Sequence, residues 1–239
     1  MKYLLSLVFV SLFVTSKTDK TTTTMTSEDL AKNIHWIQQA GFKIEAGSQK
    51  IYIDPVGINA NDNASIVLIT HAHGDHFSPA DIAKIANENT TIYMPASCNY
   101  DGKYKAKTIV KIGNKYIIND SLTIEVVPAY NVVKTKFHQH NDNFVGYIIT
   151  YNGIKIYHTG DTERIPEMKN ITANIILVPL GQTYTMNNVE EAANAVKDVK
   201  AEIAIPMHFG LYEGKTSDTI AFKQYLEGAA KVIILEKGK

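Results

Sequence analysis

Short apolar runs separated by polar turns occupy most of this chain, and a helical period of hydrophobic positions emerges in only a few places. Ser65 to Thr70 (Ser-Ile-Val-Leu-Ile-Thr) and Ile175 to Val178 are continuous apolar runs too short for a helix, as expected of strands buried on both faces. Phe42 to Asp54 reads as a hairpin turning at Gly47-Ser48. Thr91 to Met94, Leu122 to Pro128, Val145 to Thr150, Ile154 to His158, Glu202 to Pro206 and Val232 to Leu235 read as further strands, and Asn152-Gly153 marks a tight turn between two of them. Ser78-Pro79-Ala80-Asp81 opens a helix: Ser78 suits the cap, Pro79 the first turn, and Asp81 the positive end of the dipole. Val189 to Val199 and Ser217 to Leu226 read as two more helices. Strand-rich segments with helices entering late in each half, and no close internal repeat, predict an α+β fold. Two packed sheets with helices outside make a four-layer αββα sandwich.

The first 29 residues do not fit that pattern. Lys2 precedes an apolar stretch from Leu4 to Val14, followed by Thr15 and Ser16. This is the order of a signal peptide, and the run is short of the roughly 20 apolar residues a membrane span requires. Residues 1–16 are therefore expected to be a signal peptide, with a retained interfacial anchor as the alternative. Residues 17–29, rich in threonine, are expected to be a polar linker, and 30–239 a single domain. The expected location is exported, periplasmic or secreted. Export implies an oxidising compartment, yet Cys98 is the only cysteine and cannot form an intramolecular disulfide; it reads as a small buried hydrophobe.

The composition, 45% hydrophobic and 20% charged, fits a globular domain, and its 24 basic and 24 acidic side chains leave no net charge. Without a basic surplus or stripe, a nucleic-acid partner is not expected; a small-molecule substrate is. The oligomeric state is open.

Three histidines and an aspartate fall within six positions, His71-Ala72-His73-Gly74-Asp75-His76, in a chain with 8 histidines in all. Imidazole and carboxylate donors suit zinc and similar metals. The run follows a buried strand, and Gly74 allows a tight turn that lets donors on both sides converge. Thr159-Gly160-Asp161-Thr162 and Met207-His208-Phe209-Gly210 each follow a strand in the same way. A solvated polar loop would account for any one of these segments, but poorly for the set.

These segments resemble the metallo-β-lactamase-fold hydrolases, whose H-x-H-x-D-H signature is matched here, with Gly160-Asp161 and His208 following in order over roughly residues 30 to 239. Finer features resemble the branch of ascorbate-6-phosphate lactonase-like proteins and N-acyl-phosphatidylethanolamine-hydrolysing phospholipase D. They are Ile53-Asp54-Pro55, Val127-Pro128-Ala129, Tyr157 to Thr162, and Pro179-Leu180-Gly181 leading to Met186 and Glu190-Glu191-Ala192. The resemblance implies one metal held by His71, His73 and a third histidine, and a second held by Asp75, His76 and His208, with Asp161 bridging. Asp75 and Asp161 would be catalytic. The ions, one or two Zn²⁺ with Mn²⁺ as an alternative, would supply a hydroxide nucleophile. This chain departs from the pattern at the third histidine, where Ala129-Tyr130-Asn131 stands. Asn131 is one substitute; His138, beside Phe137, is the favoured one, and His140 reads as a solvated loop residue. His158 is either a structural residue or a group orienting Asp161. Tyr184 is either a substrate contact or packing, and Met186 reads as core.

The expected activity is hydrolysis of an ester-type bond, a phosphodiester or a lactone, in a small or lipid-like molecule. A non-catalytic metal-binding or sensor protein on the same fold is the alternative, supported by the missing histidine. A β-lactam hydrolase is a further alternative. The near absence of arginine, Arg164 alone, removes the usual bidentate phosphate clamp.

Overall fold

The computed structural model describes residues 25–100 and 107–238. The expected signal peptide and most of the expected linker lie outside these residues. The end of that linker does not: Ser27–Ala31 form helix α1, capped reciprocally by Thr26 and Asp29. Leu30 and Ala31 pack into the core, so the fold begins a few residues before position 30. A Thr-Ser-Glu-Asp sequence is polar because it is a helix start, not because it is a spacer.

Six strands follow: β1 (Ile34–Gln38), β2 (Gly41–Ala46), β3 (Gln49–Ile53), β4 (Ile66–Leu68), β5 (Thr91–Met94) and β6 (Lys107–Ile109). They form one sheet in chain order, antiparallel from β1 to β3 and parallel from β3 to β6. A second sheet has the order β13-β12-β11-β10-β9-β8-β7. Its strands are β7 (Lys115–Asn119), β8 (Leu122–Pro128), β9 (Val145–Tyr151), β10 (Ile154–His158), β11 (Ile175–Pro179), β12 (Ile203–Met207) and β13 (Lys231–Val232). It too is antiparallel in its first half and parallel in its second. Asn152 and Gly153 both take positive φ, as a two-residue turn of this hand requires.

The period-two rule sorts the side chains into layers. Ile51, Ile53, Ile66 and Leu68 join the core shared with Leu122, Ile124, Ile149 and Ile156 of the second sheet. Tyr52, Val67 and Ile69 point the other way, onto Ile82 and Ile85 of α2 (Pro79–Ile85). Each fully buried aliphatic side chain contributes about 1.5–3 kcal/mol, so α2 is held chiefly by this outer apolar layer. Ser78 caps α2 as expected, its hydroxyl accepting from the Asp81 amide. On the far side, α3 (Val189–Val199) and α4 (Asp218–Tyr225) pack against each other, with Ala192, Ala195, Val196, Val199 and Phe222 buried. This is the four-layer αββα order. Two edge strands, β6 and β7, carry too little apolar pattern to be read from sequence, and the expected strand over 232–235 narrows to Lys231–Val232. Among the described residues no helix is long and apolar enough to cross a membrane. Cys98 is buried, and burial pushes its thiol up to about 12, consistent with a packing role.

Candidate metal centre

The loops leaving β4, β8, β10 and β12 converge at one edge of the two sheets. The first begins at Thr70, whose amide and hydroxyl both donate to Asp54, at 2.8 and 2.6 Å. Asp54 is fully buried and holds positive φ, an unusual conformation for a residue with a side chain. Its Oδ2 lies 2.8 Å from Nδ1 of His76. That bond holds a proton on Nδ1 and directs Nε2 toward Asp161 and Asp75, at 3.3 and 3.6 Å.

Asp161 sits in the middle. Its Oδ2 lies 3.1 Å from His208 Nε2, 3.3 Å from His76 Nε2 and 3.6 Å from His138 Nε2, so one carboxylate oxygen faces imidazoles from three separate loops. Gly160 makes the approach possible: a Cβ there would lie 2.6 Å from the Val145 carbonyl, at a φ of +66°. Burial disfavours the Asp161 charge, but His208 and His76 outweigh it and hold the carboxyl well below its usual range. His76 is correspondingly raised to about 10, because Asp161 and Asp54 together overcome its burial.

The ligand atoms fall into three overlapping groups, each within 4.8 Å of one another: His71, His73 and His138; His71, His76 and Asp161; Asp75, His76 and His208. His138, 4% exposed and at positive φ, thus lies beside His71 and His73. Asn131 lies in the same loop, but its amide nitrogen donates to the Tyr184 carbonyl at 2.7 Å, bracing the neighbouring wall. His71 and His138 are pushed down, chiefly by burial, and so present neutral nitrogens. His140 lies outside the cluster, edge-on to Tyr130. His158 does not reach the Asp161 carboxylate. Its Nε2 is bonded to the Ala40 carbonyl and its Nδ1 accepts from the Gly160 amide, so it fixes the backbone just before Asp161. Met186 is fully buried, as core.

Four residues of the site carry no local sequence signal. Gln39, in the β1–β2 turn, places its amide nitrogen 3.1 Å from His208 Nε2 and 3.4 Å from Asp75. Asp54 was visible only as part of a resemblance. Glu163 accepts the amides of Val132, Val133 and Lys134 and so shapes the loop leading to His138. Glu213 has the largest reach: it accepts the amides of Thr183 and Tyr184 and the Thr185 hydroxyl, and lies 2.7 Å from His208 Nδ1. A Cβ on Gly181 would lie 2.0 Å from the Glu213 carboxylate, so glycine leaves the room that carboxylate fills.

A divalent cation fits this donor set. His76 Nε2, His138 Nδ1 and Asp161 Oδ1 are buried without a hydrogen-bond partner, a costly arrangement in a protein interior unless another group completes it. A cavity of about 460 Å³ opens onto the cluster, lined by His73, Asp75, Phe137, His138, Asp161, Tyr184, His208 and Tyr212. A separate cavity of about 650 Å³, beside α3, holds Arg164 and none of the clustered residues.

A sheet sandwich with a histidine–aspartate cluster at one edge defines a class, and the comparisons agree. Residues 33–208 match the model of the β-lactamase superfamily domain. A metal-dependent hydrolase of Pyrococcus furiosus is 33% identical over 231 residues, 86% of this chain and 97% of the relative. A solved structure from Parabacteroides distasonis superposes with a TM-score of 0.75 at 33% identity, covering 85% of this chain and 92% of that one. A metallo hydrolase of Ignicoccus hospitalis does so with a TM-score of 0.69 at 25% identity, covering 86% and 95%. The chain belongs to the β-lactamase superfamily that this model describes, and within it to a family of metal-dependent hydrolases.

Proposed function

We propose that this protein is a metal-dependent hydrolase of an ester-type bond, with two metal positions. Supporting this reading most directly is the encirclement of Asp161 Oδ2 by His208, His76 and His138 within 3.6 Å. In it, His71, His73 and His138 hold one ion and Asp75, His76 and His208 the other, with Asp161 between. Zn²⁺ suits the mixed imidazole and carboxylate set, and Mn²⁺ is the alternative. Bound there, the ions would supply an activated water and polarise the scissile bond. The chain's own residues then have defined tasks. Asp54 bonds the outer nitrogen of His76 and the Glu213 carboxylate lies 2.7 Å from the outer nitrogen of His208, so a proton stays on each outer nitrogen when a metal displaces the one on the inner nitrogen. Asp75, on the solvent side beside Gln39, faces incoming substrate. Tyr184 and Phe137, edge to face at 5.1 Å, wall the pocket.

The alternative of a non-catalytic sensor leaned on a missing third histidine, and the position of His138 removes much of that support. Phosphodiester and lactone bonds both suit this chemistry. We also propose that the protein acts after export, as its first 16 residues suggest. The test of function is turnover of 4-nitrophenyl ester, phosphodiester and lactone panels by protein loaded with Zn²⁺ or Mn²⁺. Activity abolished by chelation and restored by metal is expected. Bound metal with no turnover of any panel would overturn the proposal.

A further inference from the structure

We propose that the pocket over the metal centre selects uncharged esters or lactones carrying an aromatic or apolar group, and discriminates against phosphodiesters and other anions; this rests on the hydrolase reading above. The walls supply the first argument. Phe137, Tyr184 and Tyr212 line the cavity, and none of its lining residues is a lysine or arginine. The only arginine of the chain, Arg164, lies in the other cavity. It is paired there with Asp198 through two bonds, at 2.6 and 2.9 Å. Lys134, on the loop that leads to Phe137, is turned onto the Met186 carbonyl and Asn187. Among the described residues, then, no lysine or arginine lines the cavity to meet a phosphate oxygen.

The charge count supplies the second argument. Asp54, Asp75, Asp161 and Glu213 all lie against the clustered histidines. Their four negative charges cancel two divalent ions outright, and exceed one. Loaded with metal, the site holds no surplus positive charge for an anionic substrate, and what attracts substrate into it is aromatic surface. The cavity, about 460 Å³, has room for a group of ring or short-chain size.

Two substrates that share a scissile bond isolate the effect. 4-Nitrophenyl hexanoate is uncharged, and the 4-nitrophenyl monoester of adipic acid adds one remote carboxylate. On the metal-loaded protein, kcat/KM should favour the uncharged ester by about tenfold or more. Tyr212→Lys should narrow that ratio at least about fivefold by placing a cation at the mouth. Tyr212 is 62% exposed, so this variant should fold. Tyr212→Ala should raise KM for the hexanoate by about fivefold. Equal or reversed preference, or faster turnover of bis(4-nitrophenyl) phosphate, would overturn the selectivity and leave the hydrolase reading intact. If no ester turns over at all, the hydrolase reading falls, and calorimetry on the metal-loaded protein decides the pocket alone. Binding of N-phenyl-2-pyrrolidinone but not phenyl phosphate would support the selectivity; the reverse would overturn it.

Discussion

Replacing Glu213 with glutamine removes one charge and almost no volume, yet it forces a choice on the site. In the native chain Oε2 accepts the Thr183 and Tyr184 amides at 2.7 and 2.6 Å. Oε1 faces the Thr185 hydroxyl at 2.9 Å and His208 Nδ1 at 2.7 Å. A carboxylate can accept all four; an amide has one oxygen and one NH₂. If the glutamine oxygen serves the backbone amides, its NH₂ faces His208, whose proton must then move to Nε2, the nitrogen aimed at Asp161. If it serves His208, the NH₂ confronts two backbone donors. The first arrangement removes a metal donor and the second loosens the loop carrying Tyr184. Loss of such an outer partner weakens metal binding about 10- to 100-fold, or roughly 1.4–2.7 kcal/mol. Chelator competition on Glu213→Gln measures this. Thr185→Val is the control: it removes a bond to the same carboxylate without touching His208, and should lower stability but not metal affinity. Native metal affinity in Glu213→Gln would refute the proposed role of Glu213.

Three further outcomes follow from the same geometry. Asp161→Ala should lose about 100- to 1000-fold in turnover, the cost of removing one preorganised group from a catalytic site; steady-state rates check it. Gly181→Ala should destabilise the fold by about 1–3 kcal/mol, read as a lowered thermal midpoint, since the new methyl group meets Glu213. Metal-stripped protein should be most stable near pH 6.5. Below that, buried neutral His71 and His138 resist protonation while the unfolded chain accepts it. Above it, the contribution of His76, whose pKa is raised to about 10 in the fold, is progressively lost. Thermal melts across pH 5–10 test this, and metal should flatten the alkaline side by taking the proton's place.

The clustered residues legible in sequence were those whose spacing is short or whose position follows a strand: the His71 to His76 run, Asp161 and His208. Buried runs such as Ile175 to Pro179 were legible for the same reason, since strands covered on both faces are apolar throughout. What supports the donors was not legible. Glu213 lies some thirty residues from the loop it holds, Asp54 more than twenty from His76, and Gln39 contacts a histidine on the far side of the chain. A buried carboxylate or amide has no local signature, because its partners are supplied by tertiary structure. The polar stretch before residue 30 misled in the opposite direction: the residues that cap a helix are the ones that fill a linker.

The most direct test of the two-position centre is metal content per chain, by mass spectrometry of the metal-loaded protein, in the wild type and in His138→Ala. The account predicts two ions per chain, falling to one in the variant, with the ion at Asp75, His76 and His208 retained. Unchanged stoichiometry and affinity in His138→Ala would contradict it.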